Sequence, residues 1–375
     1  MVSYDFVIVG AGIAGASLAY QLAPHARVAL LEREEQPGYH STGRSAALFM
    51  ETYGTPAIRA LTRASRAFYV TPPPGFTEHP ILSPRGVVHV AQKGCERELE
   101  EELTLASQSS TQAERLSVEQ VCARVPVLRG ELLCGALYVP DAMDIDVHAL
   151  HQGYLHGFRA NGGALLNHAE LASAGFADGA WAIELTDGRS LRAAHLVDAA
   201  GAWADVVAQR CGVRPIGLQP KRRTAFTFAP PAGIDSANWP AVVGIDESYY
   251  FKPDAGQLLG SPANADPVEP HDVQPEELDV ATGIYHIEQM TTLTIRRPSH
   301  VWAGLRSFVR DGDLVIGPDN YAPNFFWVAA QGGYGIQTAA AAAEFAASLL
   351  LQGRPTERLL QFGVSAEALA PGRLR

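Results

Sequence analysis

Residues 6–15 read FVIVGAGIAG, and this stretch decides the fold. A short apolar run leads into a G-x-G-x-x-G loop, and a helical pattern follows to Leu22. A second apolar run, Val28–Leu31, ends in Glu32. Glycines in this position let the backbone approach a pyrophosphate, and the acid accepts hydrogen bonds from a ribose. The pattern therefore predicts a dinucleotide site, and Glu32 favours an unphosphorylated ribose, as in FAD or NAD.

Length, composition and charge narrow the class of protein. The 375 residues suffice for two or three domains, and 47% hydrophobic with 18% charged residues indicates a globular chain. A formal net charge of −11 disfavours nucleic acid or an anionic membrane surface as a partner. The four cysteines form no C-x-x-C pair, which predicts free thiols in a reducing, cytoplasmic setting. No signal peptide or transmembrane segment is recognised.

Segments of dinucleotide-binding type recur along the chain, with DAAGAW at residues 198–203 and GGYG at 332–335. Blocks with strand-like patterns separate these segments. We therefore predict an α/β (α+β) fold with a discontinuous, Rossmann-like FAD domain (residues 1–80, 141–220 and 306–375). A mainly antiparallel β substrate domain would comprise residues 81–140 and 221–305. The discontinuity favours a flavin cofactor, because NAD dehydrogenases usually keep this domain in one piece.

Local patterns predict several individual elements. Helices are expected over residues 56–69, 96–105 and 147–159, and Thr291–Ile295 reads as the clearest strand of the second block. Residues 107–111 read as a polar surface loop. His148 and His151 lie three apart on a predicted helix, but no third metal ligand is evident. A solvated helix edge is the favoured interpretation, and no metal is expected.

The motifs together resemble a known enzyme family. The N-terminal loop with Glu32, the STGRS sequence at residues 41–45, DAAGAW and GGYG follow the order seen in FAD-dependent amine oxidoreductases of the D-amino-acid oxidase and glycine oxidase superfamily. The resemblance is greatest to bacterial FAD-dependent D-arginine dehydrogenases and covers nearly the whole chain. It implies an active site between a flavin domain and a mainly antiparallel substrate domain.

The resemblance also implies roles for individual residues. Arg222 and Arg306 would bind the substrate carboxylate, since a guanidinium forms two parallel hydrogen bonds with a carboxylate. Tyr249 would donate its hydroxyl group to the same carboxylate, Tyr53 would lie near the amine, and the carbonyl of Gly332 would accept from it. Taken singly, either arginine is more often an ion-pair residue and either tyrosine a half-buried core residue.

Cofactor contacts are expected along four segments of the chain. The residues concerned are Gly10, Gly12, Ala14, Gly15, Glu32, Arg33, Thr42, Arg44, Ser45, Ala200, Gly201, Trp203, Gly333, Tyr334, Gly335, Ile336 and Gln337. The N-terminus of the helix after GGYG suits the electron-rich edge of a reduced flavin. No histidine or cysteine lies where a covalent flavin link is obvious, so the FAD is expected to be non-covalently bound.

Three positions depart from the arginine-specific relatives, where the pocket holds a glutamate and polar groups. Leu48, Met50 and Val87 appear there instead, with Val87 in place of the acid. A guanidinium buried without a carboxylate is costly, on the order of 3–5 kcal/mol. An apolar side-chain preference is therefore expected, and Glu51 is the one nearby acid that would compensate by moving.

The sequence as a whole predicts FAD-dependent oxidative deamination of D-amino acids to imino acids, then to 2-oxo acids and ammonia. Electrons would pass to a quinone or to dioxygen, between which the sequence does not choose. The alternatives are a D-arginine or D-lysine dehydrogenase, an enzyme for glycine, sarcosine or a 2-hydroxy acid, and a flavin-binding sensor without catalysis.

Overall fold

Two large β-sheets organise the chain in a computed structural model that describes residues 2–107 and 112–375. The loop predicted over residues 107–111 lies, apart from Ser107, outside this range. Twenty strands occur in the described residues: β1 (Val2–Val9), β2 (Val28–Leu31), β3 (Leu48–Phe49), β4 (Leu82–Pro84), β5 (Val87–Gln92), β6 (Glu114–Leu116), β7 (Leu133–Val139), β8 (Met143–Ile145), β9 (Ala164–Leu166), β10 (Leu171–Ala177), β11 (Ala180–Leu185), β12 (Ser190–Asp198), β13 (Gln219–Phe228), β14 (Ala241–Gly244), β15 (Tyr250–Asp254), β16 (Gln257–Ser261), β17 (Asp266–Pro267), β18 (His300–Phe308), β19 (Val315–Pro318) and β20 (Phe325–Ala329).

The helices lie mainly around the first sheet. The α-helices within the described ranges are α1 (Ile13–Leu22), α2 (Pro56–Val70), α3 (Glu96–Ser107), α4 (Val118–Arg124), α5 (Val147–Ala160), α6 (Ala204–Arg210), α7 (Glu277–Met290), α8 (Gly335–Gln352), α9 (Glu357–Gln361) and α10 (Ala366–Leu369). Helices α2, α3 and α5 begin where the sequence predicts and end within two residues of the predicted limit. None of the helices in this part of the chain combines the length and hydropathy needed to cross a membrane.

The first sheet is Rossmann-like, as predicted. Five parallel strands form its centre in the order β9-β2-β1-β12-β20, and β10, β11 and β19 extend it in antiparallel fashion. The residues of β2 and β20 are all buried, because α1 and α8 cover one face of the sheet and α6 with β10 and β11 covers the other. The Ala-rich α8 packs against α1 and α2, and small side chains permit this close approach.

The second sheet is mainly antiparallel, which also confirms the predicted fold class. It contains nine strands, in the order β17-β13-β16-β15-β14-β5-β7-β6 with β18 beside β13. Only the pairing of β14 with β5 is parallel. Strands β13 and β18 cross the predicted domain limits at residues 220/221 and 305/306, and the domain boundaries themselves stay predictions.

Two local predictions are wrong. Thr291–Ile295 is not a strand, and only Thr291 forms an isolated bridge, to Leu128. The helix α7 ends directly before this segment, and the Thr291 hydroxyl donates back to its Ile287 carbonyl at 2.6 Å. His151 does not lie on a solvated edge. It is buried, and its Nε2 lies 2.9 Å from the Ala11 carbonyl oxygen.

Close packing between the glycine loop and α1 depends on Gly15. A Cβ atom at this position would lie 1.9 Å from the Gly10 carbonyl oxygen. Because a backbone atom on a tight turn has little room to move, the helix would have to shift away from the loop. The third glycine of the motif thus serves helix–loop packing.

We therefore expect Gly15→Ala to lower the free energy of unfolding by about 1–3 kcal/mol, the usual cost of overpacking. Denaturant unfolding followed by circular dichroism measures the change. Gly175→Ala is the matched control, because a Cβ there meets no atom within 4 Å. Equal stability of the two variants would contradict the packing role of Gly15.

Candidate active site

A cleft lies where strands β1, β2 and β12 end, and we name it the strand-end cleft. Parallel strands place their carboxyl ends at one edge of a sheet, where nucleotide ligands commonly bind. The predicted cofactor residues that line this cleft are Gly10, Gly12, Glu32, Arg33, Thr42, Ala200, Gly201 and Trp203. These residues come from distant parts of the chain, and the fold brings them together in one cleft.

Glu32 is buried at the end of β2. Its carboxylate accepts hydrogen bonds from the N–H groups of Ala11 at 3.1 Å and Glu34 at 3.0 Å. Burial raises the pKa of Glu32, and these backbone hydrogen bonds oppose that rise. Arg33 stacks over the Trp203 ring at 4.2 Å and forms another part of the cleft wall.

The N-terminus of α1 faces the same cleft. Gly12 provides no side-chain cap, and Thr42 Oγ1 accepts only the N–H of Ile13, at 3.0 Å. A helix N-terminus without a full set of caps attracts phosphate groups through its N–H groups and its dipole. The cleft therefore fits a dinucleotide cofactor. Ala14 and Gly15 line neither this cleft nor the cavity between the two sheets, so their predicted contact with the cofactor stays a prediction.

Loop residues 41–45 connect the cleft to the second sheet. Ser41 donates to the Leu305 carbonyl at 2.6 Å. The guanidinium of Arg44, predicted to contact the pyrophosphate, instead donates to the carbonyls of Val273 at 3.0 Å and Ala303 at 3.1 Å and pairs with Asp272. These protein acceptors use its donors, so Arg44 anchors the loop to β18 rather than offering a free cation.

A second cavity, which we name the central cavity, lies between the two sheets. It shares Ser41 and Thr42 with the strand-end cleft, so the two cavities adjoin at these residues. The other predicted site residues in its wall are Arg44, Ser45, Leu48, Met50, Tyr53, Arg306, Gly332, Gly333, Gly335, Ile336 and Gln337. Across the described residues no group of three or more acidic, histidine or cysteine side chains is arranged to hold a metal.

The glycines before α8 permit close approach of the backbone to this cavity. Gly332 has a φ of 53°, and its N–H donates to the Ser307 carbonyl at 2.9 Å. A Cβ at Gly333 would lie 2.8 Å from an Nη atom of Arg306. Tyr334 does not line the cavity; its ring lies 5.0 Å from that of Tyr53, whose orientation it supports.

Two arginines face the central cavity without a carboxylate partner. Arg306 on β18 and Arg223 on β13 form no ion pair among the described residues. Burial and the charge of Arg306 lower the pKa of Arg223. Burial alone would lower the pKa of Arg306, but Tyr53 and Tyr250 outweigh it and raise that pKa. Arg223 Nε donates to the Asn264 carbonyl at 2.6 Å, which leaves its terminal nitrogens for a ligand. Two adjacent guanidinium groups without a carboxylate partner form a strong site for an anion.

The predicted role of Arg222 in the carboxylate site is wrong. Its guanidinium points to the opposite face of β13, where Nε donates to Asp279 at 2.8 Å and a further nitrogen donates to Glu276. Successive side chains of a strand point to opposite faces, so a shift of one residue exchanges the cavity for the far side. Arg223 takes the position in the cavity.

The same shift affects the predicted tyrosine. Tyr249 is buried in the apolar cluster on the far face of the sheet, where burial raises the pKa of its hydroxyl group. Tyr250, the next residue, lines the central cavity. The prediction for Tyr249 is therefore wrong, and the hydroxyl group available to a ligand belongs to Tyr250.

The residues predicted to form the pocket for the substrate side chain are only partly brought together. Leu48 and Met50 line it as predicted, but Val87 is fully buried in the apolar cluster behind Met50 and does not reach the cavity. His89, on the same face of β5 two residues later, is exposed to the cavity instead. Burial lowers the pKa of His89 to about 4, so its imidazole is neutral at pH 7.

The sequence interpretation also misplaced the nearest acid. Glu51 is buried and pairs with Arg66, away from the cavity. Glu247 lines the cavity instead, with a left-handed backbone conformation at φ 54°. Glu247 gives no signal in the sequence, whereas the alternation of side chains along β5 would have placed His89 on the face of Val87.

Comparisons with known proteins identify the family of the chain. The sequence matches the DAO family, described as FAD dependent oxidoreductase, over residues 5–349. An L-2-hydroxyglutarate dehydrogenase from Salmonella houtenae is 29% identical over 233 residues, covering 60% of this chain and 54% of that protein. The chain thus spans about half the length of this curated relative.

Solved structures show the same fold. Glycine oxidase from Geobacillus kaustophilus superimposes with a TM-score of 0.83 and 20% identity, covering 98% of this chain and 99% of the other. L-α-glycerophosphate oxidase from Mycoplasma pneumoniae, with FAD bound, superimposes with a TM-score of 0.85 and 18% identity, covering 95% of this chain and 97% of the other. With the family match over most of its length, the chain belongs to the DAO family of FAD-dependent oxidoreductases and has FAD as its cofactor.

Proposed function

We propose that this oxidoreductase removes a hydride from D-amino acids with apolar side chains. The observation that supports this most directly is the pair of unpaired guanidinium groups, Arg223 and Arg306, in the wall of the central cavity. An amino-acid substrate always presents a carboxylate, which these two groups would bind together. The preference for the D configuration follows from the resemblance to D-amino-acid enzymes.

The residues of the cavity would position the substrate for reaction. Arg223 and Arg306 fix the carboxylate, and the hydroxyl groups of Tyr53 and Tyr250 lie beside them. The carbonyl of Gly332 would accept a hydrogen bond from the amine. Bound FAD supplies the two-electron acceptor: the Cα–H leaves as hydride, the amine loses a proton, and water hydrolyses the imino acid to a 2-oxo acid and ammonia. Orientation is then the main contribution of the protein.

The cofactor would extend through both cavities. Glu32 and the N-terminus of α1 would hold the ribose and pyrophosphate in the strand-end cleft, while Gly333, Gly335, Ile336 and Gln337 lie at the central cavity. The polar Gln337 is buried and bonds to both the Met50 N–H and Thr62. Gln337 therefore links the loop that lines the side-chain pocket to α2 and α8.

Relatives support a second candidate. The name of the L-2-hydroxyglutarate dehydrogenase indicates a 2-hydroxy acid, and that of the glycine oxidase indicates an amino acid. Both names imply a substrate with a carboxylate. A glycine, sarcosine or 2-hydroxy acid substrate would also use Arg223 and Arg306. D-Arginine or D-lysine remains a third candidate, which the carboxylate of Glu247 in the cavity wall favours. A flavin sensor without catalysis has less support, because Arg223, Arg306, Tyr53 and Tyr250 line the cavity as a substrate-binding set would.

Substitution of Glu32 tests the cofactor site. Glu32→Ala should weaken FAD binding about 10- to 100-fold, since hydrogen bonds to a charged group contribute about 1.5–3 kcal/mol. Equilibrium dialysis of the released flavin measures the dissociation constant, and release on denaturation tests non-covalent binding. Glu35→Ala, at an exposed position nearby, is the control. Unchanged affinity in Glu32→Ala would remove this residue from the ribose site.

Substitution of the two arginines tests the carboxylate site. Arg223→Met and Arg306→Met should each raise KM about 30- to 4,000-fold, because losing a charged partner of a carboxylate costs about 2–5 kcal/mol. Arg222→Met, on the far face of the same strand, should instead lower thermal stability by breaking its contacts with Asp279 and Glu276. A larger rise of KM in Arg222→Met than in Arg223→Met would contradict the assignment.

Anaerobic reduction of the bound flavin by a substrate panel tests the reaction. D-Leu, D-Met and D-Phe should react with higher kcat/KM than D-Arg and D-Lys, since each buried methylene group contributes about 0.8 kcal/mol. The panel includes the L-enantiomers, glycine, sarcosine and 2-hydroxy acids. Faster reaction with one of these classes would replace the proposal by the corresponding alternative.

A preference for D-Arg would identify Glu247 as the partner of the guanidinium. Glu247→Gln would then lower kcat/KM for D-Arg but not for D-Leu. Under the apolar proposal, this substitution leaves the ratio of D-Leu to D-Arg within a few-fold of its original value, because neither side chain then depends on Glu247.

A further inference from the structure

His89 is a polar side chain in an apolar part of the central cavity. It faces the cavity from β5, and Leu48, Met50, Ala241 and Val243, which belong to one apolar cluster with Val87 of the same strand, line the same cavity. Residue Val243 of β14 pairs directly with His89 in the parallel register. The two strands thus form one part of the cavity wall, to which β14 contributes the apolar side chains of Ala241 and Val243 and β5 contributes the hydrogen-bonding side chain of His89.

The ring nitrogens of His89 have no partner within the described residues. No hydrogen bond, ion pair or aromatic contact involves its side chain there, whereas the buried His151 is bonded to the Ala11 carbonyl. A polar group between apolar walls costs free energy unless a water molecule or a ligand satisfies it. A structural residue in this position would lower the stability of the fold, whereas a residue that binds a ligand regains the free energy when the ligand is present.

The position of His89 places it away from the carboxylate-binding arginines. In the order of the sheet, β16, β15 and β14 separate β13, which holds Arg223, from β5, which holds His89. Four strand spacings correspond to about 19 Å along the sheet. The long side chain of Arg223 takes up part of this span. A substrate held at its carboxylate by Arg223 would therefore present the far end of its side chain to His89.

We propose that His89 is a specificity-determining residue, which recognises an uncharged hydrogen-bonding group at the end of an apolar substrate side chain, such as a phenol hydroxyl. This inference rests on the proposed function and specifies its substrate class. A neutral imidazole provides one N–H donor and one acceptor nitrogen, which match the acceptor and donor of a hydroxyl group.

Charged side chains fit this part of the cavity less well. A carboxylate would require a protonated ring, and burial lowers the pKa of His89 to about 4. An ammonium or guanidinium group would find only one acceptor nitrogen and no counter-charge among Leu48, Met50 and Val243. Glu247 does not supply that charge here, since burial alone, without a contribution from Glu247, shifts the pKa of His89.

Comparison of D-Tyr with D-Phe tests the proposal, because these substrates differ by one hydroxyl group. The unmodified holoenzyme should have a kcat/KM for D-Tyr about 5- to 30-fold above that for D-Phe, and the difference should lie mainly in KM. His89→Leu should bring this ratio to about 1 or below, whereas His89→Asn should retain part of it. His25→Leu, at an exposed position that lines neither cavity, should leave the ratio unchanged.

Binding of unreactive ligands separates this inference from the proposed reaction. The probes are 3-(4-hydroxyphenyl)propanoate and 3-phenylpropanoate, and the perturbed absorption spectrum of bound FAD reports their dissociation constants. The hydroxylated probe should bind more tightly to the unmodified protein and lose this advantage in His89→Leu. D-Ala serves as the substrate that tests the proposed function without a side chain long enough to reach His89.

The possible outcomes are distinct. Equal affinity for the two probes, or a preference that His89→Leu leaves intact, would overturn the role of His89 even if D-Ala reduces the flavin. A preference for D-Glu or D-Arg over D-Tyr would overturn it as well. If no amino acid reduces the flavin, the proposed function fails, and the probe affinities still decide the role of His89.

Discussion

The alternation of side chains along the strands of the second sheet determines the composition of the active site. On β13, β14, β15 and β5 one face supplies Arg223, Val243, Tyr250 and His89 to the central cavity. The other face contributes to a separate apolar cluster that includes Tyr249 and Val88. Because these strands are paired in one register, the cavity face is fixed for all of them together. A slip of one strand would place apolar core residues in the cavity.

This constraint allows the protein to hold two like charges close together. Arg223 and Arg306 repel each other, and among the described residues neither forms an ion pair with a carboxylate, although the charge of Glu247 opposes the lowering of the Arg223 pKa. A hydrogen bond with Tyr53 holds Arg306, and a hydrogen bond to the Asn264 carbonyl holds Arg223 in the cavity wall. The stability of the rest of the fold therefore offsets the repulsion between the two arginines, and their arrangement becomes favourable only when an anion binds. Binding sites prepared for a charged ligand commonly have this property.

The sequence predicts the cofactor half better than the substrate half. Gly10, Gly12 and Glu32 act through backbone geometry and a fixed spacing, which a local motif reveals. The substrate half depends on which face of a strand each residue takes, and the Lys-Arg-Arg run at residues 221–223 contains neighbouring candidates of the same type. Arg222 and Tyr249 were misplaced by one residue for this reason. His89 and Glu247 belong to no motif, and only the tertiary structure brings them to the cavity.

The parallel order of the first sheet has a consequence for biosynthesis. Strand β20, at residues 325–329, pairs with β12, and α8 covers α1 and α2. The N-terminal strand–helix–strand unit meets α5, β9 and β12 within roughly 170 further residues, but the surfaces that β20 and α8 cover stay exposed until some 300 further residues are made. The second sheet, whose antiparallel neighbours lie closer in sequence, has its partners earlier. The nucleotide-binding half would therefore begin to assemble first and be completed last, when β20 and α8 are made.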